Sequence, residues 1–176
     1  MLIRKAEIED AAGLAKVHID TWRTAYRDIM PPEVLANLSY EKSSSNWHKS
    51  LSGINNKRRA FVAISDDGEI IGFVFCGPSR EADPEYDGEL YGIYVLQQFQ
   101  GRGVGRALFK KALGWLMENS YRAMFLWVLK ENRYRRFYER LGGLEVRSKI
   151  KEIYGVPLEL ISYGWPELGK LNIAEK

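Results

Sequence analysis

The glycine-rich segment Gln100-Gly-Arg-Gly-Val-Gly105 carries the clearest chemical signal in the chain. It follows an apolar run and precedes an amphipathic stretch, so it predicts a strand, a tight turn and a helix. The glycines let the backbone turn tightly and approach a ligand closely. The first free N–H groups of the helix and the positive end of its dipole would then face a phosphate. The segment therefore predicts a site for a pyrophosphate-bearing ligand.

Three phosphate-binding motifs compete for this segment, and their spacing separates them. The Walker pattern G-x-x-x-x-G-K-[ST] is absent. The dinucleotide pattern G-x-G-x-x-G requires a glycine where Arg106 stands. Glu131 follows the next candidate strand and could contact a ribose, so this pattern stays open as the weaker alternative. The pattern that fits is Q-x-x-G-x-G, from Gln100 to Gly105.

A second segment downstream completes a longer pattern. The apolar run Arg122–Leu129 predicts a buried strand, and Asn132–Gly142 then reads N-x-x-x-x-F-Y-E-x-x-G. In order and spacing, the two segments resemble the Q/R-x-x-G-x-G/A and N-x-x-x-x-F-Y-E-x-x-G segments of the GNAT superfamily of N-acetyltransferases. The resemblance covers roughly residues 88 to 143. A weaker match of strand, helix and hairpin extends it to Leu2.

The resemblance implies acetyl-CoA as the bound ligand and CoA as the product. In this family the strand before the glycine turn separates from its neighbour and pairs with the pantetheine arm, and a backbone N–H near Val95 would bind the thioester oxygen. Asn132 falls where the family contacts that arm, and a plain helix cap is its alternative. The implied cofactor residues are Ile93, Tyr94, Val95, Gln100, Gly101, Arg102, Gly103, Val104, Gly105, Arg106, Asn132 and Tyr138.

The resemblance also assigns the chemistry to two side chains. Acetyl transfer needs a neutral amine, and holding a lysine-like amine neutral at pH 7 costs roughly 4 to 5 kcal/mol. Tyr138 stands at the tyrosine that in many members protonates the departing thiolate; a half-buried structural tyrosine with its hydroxyl on a carbonyl is the alternative. Glu89 lies eleven residues before Gln100, the offset of the catalytic glutamate in the histone-acetyltransferase branch. A surface carboxylate, with ordered water as the base, is its alternative.

Candidates for the acceptor pocket come from the first helix and from a series of acidic residues. The family builds part of this pocket from its first helices, which indicates Trp22 and Tyr26 as wall residues. Carboxylates recur at every second position from Glu81 to Glu89, on the segment expected to approach the acceptor. They would attract a cationic small molecule or a peptide amine. A solvated acidic loop is the alternative.

The rest of the chain predicts the elements that hold these residues in place. A helix begins after Asp10, which can cap it, and Ser65-Asp-Asp-Gly68 predicts a hairpin turn. The order is one strand, two or three helices, three strands, then helix, strand, helix and two closing strands near 144–151 and 153–164. This order predicts a mixed α/β (α+β) fold of the GNAT type, with a mostly antiparallel central sheet of about seven strands flanked by helices.

Composition bounds the class of protein. The 176 residues fit one acetyltransferase domain over 1–165 and a C-terminal tail over 166–176. The lone Cys76 excludes an internal disulfide, offers no metal cluster and suits a cytoplasmic location. No apolar stretch approaches the roughly 20 residues that span a membrane. A net charge of +3 is too small to indicate nucleic acid. A homodimer stays open.

These observations predict an acetyl-CoA-dependent N-acetyltransferase that acts on a primary amine by direct attack in a ternary complex. A non-catalytic acyl-CoA-binding sensor with the same fold is the alternative, and the retained Tyr138 argues against it. The sequence departs from the family at Tyr134 and Arg135, where many members carry a small residue such as alanine near the cofactor. This departure concerns how CoA is seated on the second helix.

Overall fold

The computed structural model describes residues 1–53 and 57–171, which form one seven-stranded sheet with helices on both faces. The strands are β1 (Leu2–Lys5), β2 (Arg59–Ile64), β3 (Ile70–Pro78), β4 (Gly88–Val95), β5 (Met124–Leu129), β6 (Leu144–Ile153) and β7 (Val156–Trp165). The helices are α1 (Ala11–Ala25), α2 (Pro32–Ala36), α3 (Tyr40–Ser52), α4 (Val104–Glu118) and α5 (Arg136–Arg140).

The sheet order is β1-β2-β3-β4-β5-β7-β6, and only β4 and β5 run parallel to each other. This topology confirms the predicted mixed, mostly antiparallel fold. The last hairpin corrects the predicted strand ends: β6 continues to Ile153, and the turn lies at Tyr154 and Gly155, with φ of 52° and 78°. Positive φ at both turn residues gives a two-residue connection that suits twisted strands, so the turn lies later in the chain than predicted and β7 begins at Val156.

Two apolar clusters fix the helices on opposite faces of the sheet. On one face, Leu108 and Leu116 of α4 are fully buried against the central strands. On the other face, Leu14 and Val17 of α1 are fully buried against β2 and β3. Cys76 lies in the α4-side cluster, and burial raises the pKa of its thiol to about 12. The thiol is therefore protonated at neutral pH and has a packing role.

Strands β4 and β5 separate soon after they meet. Only Gly88 and Glu89 of β4 have partners in β5. Tyr91 is an extra residue in the pairing of β4 with β3, a bulge that sharpens the local twist. From there to Val95, β4 is hydrogen-bonded to β3 alone. A wedge-shaped opening through the sheet results, with backbone polar groups of β4 along one side of it.

The start of α1 is held differently from the prediction. The Asp10 side chain makes no capping bond to α1. Its oxygens accept hydrogen bonds from the Arg4 guanidinium at 2.7 and 2.8 Å and from the backbone N–H of Glu7 at 2.8 Å. Asp10 therefore ties β1 to the short 3₁₀ turn that precedes α1, because the guanidinium offers it a stronger, charge-assisted partner.

The chain after β7 continues to pack on the domain. Leu168 is 1% exposed, and its N–H donates to the carbonyl of Arg122 at 2.9 Å. Residues 166–171 are thus attached to the core, and the division at residue 165 stays a prediction. The remaining five residues of the predicted tail, 172–176, lie outside the described part of the chain.

His18 makes the stability of the fold dependent on pH. Its ring lies among Trp22, Trp47, Phe73 and Tyr94, with centroid distances of 4.8 to 6.2 Å, and burial lowers its pKa to about 4. An unfolded histidine has a pKa of about 6.5, so between these values only the unfolded state takes up the proton. This uptake reduces the unfolding free energy as the pH falls, and the stability contributed by neutral His18 is complete only above about pH 6.5.

We expect His18→Phe to remove this part of the pH dependence. Between pH 7 and pH 5 the wild-type protein should lose about 2 kcal/mol more unfolding free energy than the variant. Urea denaturation of both proteins at the two pH values measures the difference. Because buried carboxylates titrate equally in both proteins, they cancel in this comparison. Parallel pH profiles of the two proteins would contradict the assignment.

Candidate functional site

A cleft of about 860 Å³ opens where β4 leaves β5. It runs from the glycine turn and α5 on one side of the sheet to α1 and β6 on the other. Most of the predicted site residues line it: Trp22, Tyr26, Glu89, Ile93, Tyr94, Val95, Gln100, Gly101, Gly103, Gly105, Arg106, Asn132 and Tyr138. Residues that lie far apart in the sequence therefore meet in one cavity.

Two predicted cofactor residues do not line the cleft. The side chain of Val104 is 3% exposed and belongs to the apolar core, because the first turn of α4 directs it towards the sheet. Arg102 is exposed on the outside of the glycine turn, where its guanidinium lies over the ring of Phe99, 5.7 Å from the centroid. Any part that these residues have in the site belongs to their backbone or to long-range attraction.

The glycine turn has the geometry of an anion cradle. Gly101 and Gly103 have φ of 73° and 83°, and a β-carbon at either position would meet no atom within 4 Å. The first N–H that bonds back into the turn is that of Ala107, which donates to the carbonyl of Gly103 at 3.0 Å. Because α4 begins at Val104, the N–H groups of Val104 and Gly105 lie at the open end of the helix, where they and the helix dipole face the cleft. These groups fit a pyrophosphate.

Gln100 joins this turn to the end of β4. Its side-chain amide donates to the carbonyl of Val95 at 2.9 Å. On the far side of the turn, a β-carbon on Gly105 would lie 3.3 Å from the ring of Phe137, so α4 and α5 approach closely there. The sequence prediction gave Gln100 a direct cofactor contact, and the structure shows a bond that shapes the turn.

Tyr138 faces the cleft with a free hydroxyl. It makes no hydrogen bond to any residue that the structure describes, so the alternative of a phenol bonded to a carbonyl finds no support. Burial, with Tyr94 nearby, raises the pKa of Tyr138 well above its ordinary value. Burial likewise raises the pKa of Tyr26, whose hydroxyl is also influenced by Tyr94, Tyr138 and Asn132. These phenols stay neutral and can donate hydrogen bonds across the neutral pH range.

Asn132 acts as a helix cap. Its side-chain oxygen accepts a hydrogen bond from the N–H of Tyr134 at 2.9 Å, and the residue is 8% exposed. This bond begins the short 3₁₀ turn Arg133–Arg135 that leads into α5. Asn132 is therefore the helix cap that sequence analysis gave as the alternative role, and the residue also lines the cleft. A contact between Asn132 and the pantetheine arm stays a prediction.

Glu89 is buried in an ion pair that the sequence did not indicate. The residue is 1% exposed, and its carboxylate accepts bonds from the Arg80 guanidinium at 2.5 to 3.1 Å and from the Arg80 backbone N–H at 2.9 Å. The bonds to Glu89 raise the pKa of Arg80. The guanidinium also lies over the ring of Tyr91, 4.7 Å from its centroid. Glu89 is therefore a fixed carboxylate on the cleft wall and not a solvated strand residue.

Aromatic rings form the wall beside α1. Trp22 and Tyr26 meet edge to face at 4.9 Å. The ring of Tyr154 from the β6–β7 hairpin lies 6.0 Å from Trp22 and supports it without lining the cleft. Tyr91 and Trp127 complete the apolar lining on the sheet side. Sequence analysis indicated the first two residues and missed the others. The bulge in β4 brings Tyr91 to the lining, and this bulge has no sequence motif of its own.

The comparison with protein families decides the identity of the fold. The sequence model of the Acetyltransferase (GNAT) family matches residues 18–143. The chain belongs to this family. As a GNAT member it is an acyltransferase enzyme, and acetyl-CoA is its cosubstrate.

Relatives and solved structures agree with this family. YuaI of Bacillus subtilis (strain 168), an uncharacterized N-acetyltransferase, is 39% identical over 171 residues, which are 97% of this chain and 95% of YuaI. The paia N-acetyltransferase of Thermoplasma acidophilum, solved in complex with coenzyme A, is 20% identical, covers 91% of this chain and 96% of its own, and has a TM-score of 0.64. The structure of yncA from Salmonella typhimurium with acetyl-CoA is 18% identical, covers 99% and 98%, and has a TM-score of 0.71.

The alternating acidic residues from Glu81 to Glu89 do not form a free acidic surface. Strand β4 begins only at Gly88, so most of the alternating carboxylates lie on a loop and share no face. Asp83 accepts bonds from two backbone N–H groups of its own loop and pairs with Arg147, and Asp87 accepts bonds from the N–H groups of Arg122 and Ala123. Their oxygens hold the loop in shape.

Two of the other three acidic side chains are also held in ion pairs. Glu81 pairs with Lys149 of β6, Glu89 pairs with Arg80, and Glu85 is exposed. The proposed attraction of a cationic acceptor therefore lacks its basis, because basic side chains from β6 and the β3–β4 loop already pair with the carboxylates that reach the cleft.

In residues 1–53 and 57–171, no helix is both long and apolar enough to cross a bilayer, and no three His, Cys, Asp or Glu side chains are grouped as metal ligands.

Proposed function

We propose that this GNAT enzyme transfers the acetyl group of acetyl-CoA to a primary amine by direct attack within a ternary complex. The observation that carries the proposal is the single cleft through the sheet. One half has the anion cradle at Gly103, the other half has the aromatic wall at Trp22, and the two halves meet beside Tyr138. A donor and an acceptor bound in the two halves would be brought together without a covalent enzyme intermediate.

The cofactor half supports a specific seat for acetyl-CoA. The pyrophosphate would lie on the N–H groups at the start of α4, and the pantetheine arm would run along the unpaired edge of β4 at Ile93 and Val95. Asn132 would contact the same arm from the opposite wall. A β4 backbone N–H near Val95 would donate to the thioester oxygen and stabilise the negative charge that develops there. The support for this seat is the open edge of β4 and the open space around Gly103.

The acceptor half supports the deprotonation of the amine. Its lining is largely aromatic, which favours the neutral form of an amine over its ammonium form. Glu89 is the proposed proton acceptor, directly or through one water molecule, because its carboxylate lines the cleft and is held in place by Arg80. Surrounded by these groups, the amine can reach the thioester as a nucleophile.

The amine nitrogen attacks the carbonyl carbon and forms the N–C bond, and the nitrogen's proton passes to Glu89. The tetrahedral intermediate collapses, the C–S bond breaks, and the CoA thiolate takes a proton from the Tyr138 hydroxyl. Glu89 then releases its proton to solvent and Tyr138 takes one up, so that both groups return to their starting state and no net proton is gained or lost by the enzyme. Burial that raises the pKa of Tyr138 raises that of a thiol in the same site, so the two groups remain matched for proton transfer.

An amine-dependent acetyl-CoA assay tests the proposal. The purified protein should release CoA from acetyl-CoA in the presence of one or more amines from a panel of amino acids, peptides, polyamines and aminoglycosides. Initial rates measured against both substrates should give intersecting lines, as expected for a ternary complex. Parallel lines would indicate a covalent intermediate and contradict direct attack. Saturable acetyl-CoA binding without turnover of any amine would favour the acyl-CoA-binding sensor.

We further propose a cytoplasmic location, which is supported by the buried, reduced Cys76 and by the need for acetyl-CoA. A homodimer is compatible with the exposed edge strand β6, whose Leu144 and Ile150 are 61% and 77% exposed. A small-molecule or peptide amine is the proposed partner, and nucleic acid is not. Size-exclusion chromatography with light scattering measures the oligomeric state.

A further inference from the structure

The acceptor half of the cleft is lined by more cations than anions. Arg80, Lys149 and Lys151 lie on its wall together with Glu81 and Glu89. The two carboxylates are bonded within the wall, Glu89 to Arg80 and Glu81 to Lys149. Internal pairing therefore cancels both negative charges and leaves one positive charge in excess. This local balance favours a ligand with a negative group.

Arg80 keeps part of its hydrogen-bonding capacity for the cleft. Its Nε and Nη2 atoms donate to Glu89, whereas its Nη1 atom donates to no described residue. The side chain is 55% exposed, and the ring of Tyr91 fixes the plane of the guanidinium. A guanidinium held in one orientation with free N–H groups is suited to bind a planar carboxylate.

Lys151 is the cation in excess. It lies two residues after Lys149 on β6, so both side chains point to the same face of the sheet. This is the face of Trp127, because the Lys149 ammonium lies 3.9 Å from the centroid of the Trp127 ring. Lys151 is exposed, lines the cleft and forms no ion pair with a described residue. An ammonium in this position can approach a ligand without first breaking an internal bond.

Some uncharged polar groups of the same wall also lack a hydrogen-bond partner. Within the described residues, the buried side-chain polar atoms without a hydrogen-bond partner include two that belong to cleft residues: Thr21 Oγ1 and Trp127 Nε1. An indole N–H can only donate. The wall therefore offers donors and one cation in excess, while the negative charges of Glu81 and Glu89 are balanced by Lys149 and Arg80. A ligand that satisfies this wall must supply oxygen acceptors.

We propose that the acceptor substrate is an amine that also carries a carboxylate or a similar oxyanion, as an amino acid does. The oxyanion lies between Arg80 and Lys151, and this position leaves the amine directed towards the unpaired edge of β4. The inference rests on the proposed function, since it names the class of acceptor for the same site. It replaces the cationic acceptor that the acidic series suggested, because the carboxylates of that series that reach the cleft are already paired with Arg80 and Lys149.

Matched acceptor pairs test the inference. L-amino acids and their carboxamides have the same skeleton and differ in the negative group, and the amides have the more easily deprotonated amine, so any bias runs against the expected result. The wild-type enzyme should show a kcat/KM at least about 10-fold higher for the carboxylate of the preferred pair. Most of the difference should lie in KM, because the oxyanion contact is made before and during the reaction.

Two substitutions at Lys151 sharpen the test. Lys151→Met should lower the carboxylate-to-amide ratio of kcat/KM about 10-fold, and Lys151→Glu should turn the preference towards amines with a second positive charge. Lys5→Met is the matched control, since it removes one exposed positive charge at the end of β1, outside the cleft, and should leave the ratio unchanged. Thermal unfolding verifies that all variants are folded.

The outcomes separate the two proposals. Equal use of carboxylates and amides by the wild-type enzyme, or a ratio that Lys151→Met leaves intact, overturns the inference while the acetyltransferase function stands. Turnover of no amine in either series overturns the proposed function and the inference together. A carboxylate preference that Lys151→Met removes and Lys5→Met retains supports both.

Discussion

Gly103→Glu is expected to weaken acetyl-CoA binding at least about 100-fold, since it combines backbone strain with charge repulsion. Gly103 has φ of 83°, a conformation that costs a residue with a β-carbon roughly 1 to 2 kcal/mol. Its added side chain would enter open space within the cleft, where the pyrophosphate is proposed to lie. The new carboxylate would then repel the phosphates that the N–H groups of α4 attract. Isothermal titration calorimetry with acetyl-CoA measures the loss.

A second glycine provides the control for strain. Gly68, in the turn between β2 and β3, also has φ of 83°, and a β-carbon there also meets nothing within 4 Å. Gly68→Glu therefore imposes the same backbone strain and the same charge away from the cleft. It should lower stability without changing acetyl-CoA affinity. If both variants bind acetyl-CoA as the wild type does, the glycine turn does not hold the cofactor.

Tyr138→Phe is expected to lower kcat about 100-fold while leaving the affinity for acetyl-CoA nearly unchanged. The phenol has no partner among the described residues, so its removal breaks no structural bond, and the ring that packs against Phe137 is retained. Only the departing thiolate needs the hydroxyl proton. The loss should therefore appear in kcat and not in binding. Pre-steady-state rates with a saturating acceptor isolate the chemical step.

Tyr121→Phe serves as the matched control. The Tyr121 hydroxyl donates to the carbonyl of Lys57 at 3.0 Å, outside the cleft. Its removal should cost about 1 kcal/mol of stability and leave kcat unchanged. A Tyr138→Phe enzyme with wild-type kcat, in a reaction limited by chemistry, would show that the thiolate takes its proton from another donor, such as water.

Features set by neighbouring residues were predictable from the sequence. The Ser65–Gly68 hairpin, the strand before Gln100 and the helix after Gly103 depend on turn chemistry and on periodicity over a few residues. The same local order carried the family resemblance, and the fold class and acetyl-CoA followed from it. The burial of the Val104 side chain was not predicted, because a motif reports which segment meets a ligand, whereas helix geometry decides which side chain of that segment points to the core. A backbone contact of Val104 with the cofactor stays a prediction.

Features set by distant residues were not predictable. The partner of Glu89 is Arg80, which lies in a loop, and the partners of Asp83 and Glu81 come from β6, more than 60 residues away. A series of carboxylates with period two looks like a strand face until those partners are known. Each pairing depends on the order in which strands meet in the sheet, and that order does not follow from the residues around each carboxylate.

The two halves of the cleft draw on different kinds of atoms. The proposed seat for the donor uses main-chain N–H groups of one short stretch, from β4 to the first turn of α4, whereas the proposed acceptor wall uses side chains from α1, the β3–β4 loop and β6. Substitutions on β6 can therefore alter which amine is chosen without disturbing the backbone that holds the donor. In evolution, such a division allows acceptor preference to diverge among descendants of one gene while the acetyl donor stays the same. Exchange of the β6–β7 hairpin between relatives is accordingly a direct route to redesigned selectivity.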